Sequence, residues 1–107
     1  MSIDGKVLAQ GFVPNVKGSL YTVPSGKRTY VKFFSMYNAG VATEDVVMFI
    51  SSSIESSFGR AQLYVSESLL VIDKDEAMIL TAGNQITAQS SNINSVEYVI
   101  MGGEENA

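Results

Sequence analysis

The 107-residue sequence has no cysteine, no histidine and no tryptophan, and only 2 prolines. Without cysteine there can be no disulfide and no thiolate metal site. Without histidine the commonest general base, the commonest metal ligand and the side chain that titrates near neutral pH are all missing. A nucleophilic serine would have no imidazole to activate it, and no G-x-S-x-G turn occurs to carry one. An enzyme is therefore not expected, and no cofactor or metal. Charge is sparse as well, with charged residues at 17% against the usual quarter. Of the 7 basic residues only Lys27, Arg28 and Lys32 stand close together, too few for a phosphate-binding stripe, so nucleic acid is not an expected partner. No apolar run reaches the roughly 18 residues of a membrane span. The opening MSIDGKVLAQG lacks the apolar core of a signal peptide, so synthesis in the cytoplasm is expected.

What is present is a hydrophobic content of 46% and a net charge of −4, the composition of one packed domain. Short β-rich runs recur at intervals of about 8 to 12 residues. Ser19 to Val23 is one. It is followed by Pro24, which presets φ for a turn, and Gly26, free to take the positive φ such a turn often needs. Arg28 to Asn38 is the longest run, and apolar residues fall on both of its faces, as in a central strand covered on both sides. Val46 to Ile50, Ala61 to Val65 and Leu69 to Asp73 follow. Met78 and Leu80 then lead into a turn at Thr81-Ala82-Gly83-Asn84 and on to Ile86 and Ala88. Seven or eight such strands predict an all-β antiparallel sandwich, jelly-roll-like, with an extended arm at the N-terminus. The expected organisation is an arm over 1–16, a sandwich domain over 17–103 and an acidic tail over 104–107. In the polar stretch 51–60, Ile54 and Phe58 stand four apart behind serines, a spacing open to one helical turn or to a loop.

The last strand raises the functional question. If Val96, Tyr98 and Ile100 face the core, Val99 and Met101 face away from it. Either a second layer of the same chain covers them, or another subunit does. The candidate interface residues are Val7, Leu8 and Phe12 in the arm, Phe58 in the central loop, and Val99 and Met101. Other patterns are weaker. Asp73-Lys74-Asp75-Glu76 lacks the glycine and distant glutamate of a calcium loop and reads as a solvated charged turn, as do Glu44-Asp45 and Glu104-Glu105. Lys27 follows Gly26 but leads into a strand, where a phosphate-binding loop would open a helix. The five tyrosines, Tyr64 among them, leave a saccharide-stacking or receptor-binding module as an alternative.

Several motifs in order suggest a relation. Val7-Leu8-Ala9-Gln10, the run Leu20-Tyr21-Thr22-Val23-Pro24-Ser25-Gly26-Lys27, and a strand ending in Asn38 occur early; Leu80-Thr81-Ala82-Gly83-Asn84-Gln85-Ile86 and Val96-x-Tyr98-x-Ile100-x-Gly102-x-Glu104 occur late. This pattern resembles a family of small tailed-bacteriophage virion proteins, with the likeness strong at both ends and weak between about 44 and 70. The resemblance implies a non-enzymatic β-sandwich located in the phage particle, as a capsid decoration (cement) protein or as a tail or neck accessory protein. It implies as partners the major capsid protein or another virion protein, and sister copies, with a trimer favoured.

Overall fold

The computed structural model describes residues 6–51, 55–72, 78–92 and 94–106, and at 51, 55–58 and 72 the backbone alone. The described elements are all strands: β1 (Lys6–Phe12), β2 (Gly18–Thr22), β3 (Lys27–Asn38), β4 (Glu44–Ser51), β5 (Glu55–Leu63), β6 (Ser68–Ile72), β7 (Met78–Thr81), β8 (Gln85–Ser90) and β9 (Val96–Asn106). They form two antiparallel sheets. The first runs β1-β9-β3-β6 with β7 also on β3, and the second runs β2-β8-β4-β5.

β6 and β7 lie along the same flank of β3, β6 against Phe34–Tyr37 and β7 against Arg28–Val31. Both run antiparallel to β3, so they continue one line. Five residues separate Ile72 from Met78, whereas only two separate their partners Phe34 and Val31. Taken as one interrupted strand, they leave eight strands winding between two four-membered sheets, which is the jelly roll. Each sheet buries one face, as the period of two requires. Val31, Phe34 and Met36 of β3, Ile100 of β9, Ile86 of β8 and Val46 of β4 meet in the core, all within 1% of fully buried.

The sequence expectations fare unevenly at the ends and in the middle. Of the segment expected as an arm, residues 1–5 lie outside the described residues, and Lys6–Phe12 is laid along β9 as the edge strand of the first sheet. The segment expected as an acidic tail is the end of β9, where Glu104 and Glu105 pair in register with Thr29 and Arg28. A helical turn within 55–60 is corrected outright, because Glu55–Leu63 is a strand paired along β4. The serines there hid it by carrying no alternation. Asp73 to Glu76, and Ile54, lie outside the described residues.

The two turns of the family-like motifs face each other. Gly26 (φ +75°) and Gly83 (φ +86°) both take the left-handed conformation in tight turns closed by Lys27 N to Pro24 O (3.2 Å) and Asn84 N to Thr81 O (3.0 Å). Val23 N then donates to Asn84 O, and Gly83 N donates to Val23 O. These reciprocal bonds tie together two turns that lie about sixty positions apart in the chain, each carrying it from one sheet to the other.

Candidate functional site

The outer face of the first sheet distinguishes this molecule. Strand alternation places Val99 and Met101 on it, both partly exposed, opposite the buried Val96 and Ile100. Phe33 of β3 joins them. So do Val7 of β1 (49% exposed), Leu70 of β6 (50%) and Ile79 of β7 (59%). Among the described residues no second layer covers this face. Contiguous apolar side chains on an exposed face are a feature that interaction surfaces share. The second sheet differs on its outer side, where the exposed residues, Ser19, Thr22, Asp45, Arg60, Gln62 and Gln89, are polar and the apolar Val47 and Phe49 are only partly exposed.

Register explains why the apolar residues gather. Val7 opposes Met101 and Met101 opposes Phe33, so the three form one row across β1, β9 and β3. Two bulges flank that row. Leu8 is the extra residue between Val7 and Ala9, and Lys32 is the extra residue between Val31 and Phe33. The bulge also decides Leu8's fate. It packs against the core beside Ala9, so of the arm's three candidate interface residues Val7 and Phe12 lie on the outer face and Leu8 does not. Phe58 is likewise the extra residue of a bulge, opposite Met48 and Phe49 in the second sheet, and its side chain is outside the described residues.

Toward the end of the face, away from the chain termini, two further rows enclose a groove of about 510 Å³. One row is Phe12–Glu97–Tyr37 and the next is Gln10–Val99–Ser35. Strands are ~4.8 Å apart, so Phe12 and Tyr37 stand ~10 Å from each other with Glu97 between them. Gly11 and Tyr98, opposite each other, give the groove backbone only, because their side-chain positions lie on the core side of the sheet. Among the described residues the side chains of Gln10, Ser35, Tyr37 and Glu97 have no hydrogen-bond or ionic partner.

The tyrosines do not form one platform. Tyr21 is buried and Tyr98 packs against the core; Tyr30 and Tyr37 are on the outer face; Tyr64 sits exposed in the β5–β6 turn. The Lys27-Arg28 pair is committed internally, Lys27 Nζ donating to Asn106 Oδ1 (2.8 Å) and Arg28 pairing with Glu105 (2.8 Å).

Three acids expected to be solvated are instead fastened. Glu44 is 1% exposed and accepts from the backbone N and the side-chain Nδ2 of Asn92 at 2.8 and 2.7 Å. Glu104 accepts from the Tyr21 hydroxyl (2.6 Å) and from Lys6 Nζ (3.0 Å). Those two donors hold the Glu104 carboxyl below the usual carboxylate range, while burial, helped by the neighbouring carboxylate, pushes the Tyr21 phenol up to about 12. Glu105 accepts from Tyr30 (2.5 Å) and Arg28, and its carboxyl is lowered chiefly by the Tyr30 hydrogen bond. The last strand is thus clamped on both faces where it leaves the sandwich.

At the opposite end Asn38 does similar work. Its Nδ2 donates to Ala42 O (2.8 Å) and Leu63 O (2.9 Å), and its Oδ1 accepts from Gly40 N (2.9 Å). It closes the β3–β4 loop onto the end of β5, which gives a reason for an asparagine at the end of the longest strand.

Comparisons with protein-family models, with curated proteins and with solved structures found no match.

Proposed function

We propose that this chain is a non-enzymatic structural protein of a phage particle, a capsid decoration (cement) protein that seats the outer face of its first sheet on neighbouring subunits. The observation that carries the reading is that apolar face, uncovered among the described residues, set against a second sheet whose exposed outer residues are polar. Val7, Phe12, Val99 and Met101 share it, and Phe33, Leu70 and Ile79 extend it. The molecule measures 43 × 27 × 19 Å, so its broad face is ample for the ~800 Å² that each partner gives to a standard interface. The family-like motifs support the reading from the sequence side. A tail or neck accessory protein is the variant within the same class.

The mechanism is passive. Covering apolar surface at ~25 cal/mol per Å² leaves several kcal/mol per copy after the costs of association. Those kcal/mol are lost whenever the neighbour unfolds or detaches, so the attached copy slows both. The test is mass spectrometry of density-gradient-purified particles from the genome that encodes the chain, together with light scattering of the purified chain. The reading expects the chain as a stoichiometric particle component and a mass of three times 11.5 kDa in solution. Absence from the particles would sink it, and a stable monomer would remove the trimer.

A further inference from the structure

Resting on that reading, we infer that the neighbour presents an arginine or lysine side chain that enters the slot between Phe12 and Tyr37 and pairs with Glu97. The slot lies on the face proposed to dock, so whatever covers the face also covers Glu97. Burying a carboxylate with no partner is far more costly than an apolar contact can repay, and among the described residues Glu97 has no cation of its own. At the other end of the same face Arg28 and Glu105 neutralise each other at 2.8 Å, whereas here the charge is left unmatched. Lys32 stands five positions from Tyr37 along β3, ~16 Å away and out of reach.

The walls suit a cation as well as the floor does. Phe12 and Tyr37 flank Glu97 in register, one on each side strand, and side chains stand roughly perpendicular to a sheet. A gap of ~10 Å admits a guanidinium plane or an ammonium-tipped methylene chain touching both rings, at the distances where ring faces attract cations. The Gln10 and Ser35 side chains and the Tyr37 hydroxyl, also without partners, lie in or beside the same 510 Å³ groove and can accept the remaining N–H groups of a guanidinium. A neutral ring could stack between the same walls but would leave the carboxylate unmatched. The chain's net charge of −4 adds a longer-range preference for a basic surface.

The experiment is incorporation of variants into particles of the encoding genome, read by quantitative mass spectrometry against the wild-type chain. Glu97→Lys is expected to lower occupancy at least tenfold, and Glu97→Gln to lower it less and to flatten its loss with rising salt. The control Gln62→Lys, on the other sheet, is expected to incorporate as wild type. Among the described residues the Glu97 side chain has no hydrogen-bond or ionic partner, so its variants are expected to unfold near the wild-type denaturant midpoint. Should Glu97→Lys fail that check, Glu97→Gln and its salt profile decide. Wild-type occupancy for Glu97→Lys, or an unchanged salt profile for Glu97→Gln, overturns the slot while leaving the virion reading intact. Absence of the wild-type chain from particles overturns both.

Discussion

Replacing Gly102 by alanine tests the architecture at its tightest point. Gly102 lies on β9 opposite Val31, beside the β3 bulge, in the central strand pair of the first sheet. A Cβ added there would sit 1.9 Å from the carbonyl oxygen of Tyr30 and 3.1 Å from the Cα of Val31. Both are backbone atoms, so no rotamer change relieves the clash. A carbon and an oxygen in contact need over 3 Å, so β3 and β9 must part by more than an ångström locally. Ladder bonds near 2.9 Å do not survive that, and two or three of them fail. Each buried group left unpaired costs ~1–3 kcal/mol, so the variant is expected to lose about 3–5 kcal/mol. Against a typical domain stability of roughly 5–15 kcal/mol that is a large share.

Gly26→Ala provides the internal standard. Its Cβ would meet nothing within 4 Å, and its cost is the left-handed φ of +75° alone, about 1–2 kcal/mol. Urea unfolding followed by far-ultraviolet circular dichroism measures both. If Gly102→Ala costs no more than Gly26→Ala at unchanged slope, the reasoning about close strand approach is wrong.

Other perturbations follow from the same geometry. Phe34→Ala, at a fully buried core position, should cost about 3–5 kcal/mol, while Phe33→Ala, one residue away on the outer face, should cost far less in the isolated chain; urea midpoints compare them, and equal costs would refute the assignment of faces. The Glu104 carboxyl is held low in the folded state, so the stability it contributes is present above the ordinary 4.5 and lost as pH falls through its lowered value. The Tyr21 phenol runs the other way, its contribution complete below 10.0 and lost as pH rises toward about 12; Glu104→Gln should weaken the acid limb, and Tyr21→Phe should weaken the alkaline one, to which the raised Tyr30 and Tyr98 phenols also contribute, in midpoint-versus-pH curves. Asn38→Ala strips two carbonyls and one N–H of their partner and should cost about 2–3 kcal/mol, with faster hydrogen exchange at Gly40 by mass spectrometry; unaltered exchange there would show that the loop is held by something else.

The sequence made some of this legible and concealed the rest for definite reasons. Alternation in Val96-Glu97-Tyr98-Val99-Ile100-Met101 placed each side chain on its proper face before any coordinates, because one strand has one period. The apolar residues on both faces of β3 pointed to a central strand covered on both sides; β3 is central, between β9 and the β6–β7 line, but among the described residues its outer face is uncovered. Leu8 could not be placed, since a bulge shifts the period by one and leaves no mark in composition. The start of β5 was hidden among serines, and the continuity of β6 with β7 was masked by the charged residues between them. Tyr21 and Glu104 are 83 positions apart, so their bond is a property of topology alone. The groove was half visible: Phe12 and Val99 were candidates by hydrophobicity, but Glu97 and Tyr37 became notable only once register set them in one row.

The interrupted β6–β7 line has a bearing on how such a protein keeps company. A sheet with an apolar face and two open edges is at risk of growing strand by strand into a fibre. Here one flank of the sheet changes register midway, with five residues set against two, and the opposite flank carries the bulge at Leu8. Neither margin offers an unbroken row of backbone donors and acceptors for a newcomer to copy. What the first sheet leaves open is thus its face and not its edges. In the proposed role such a sheet would lie flat against a neighbour without growing strand by strand into a fibre.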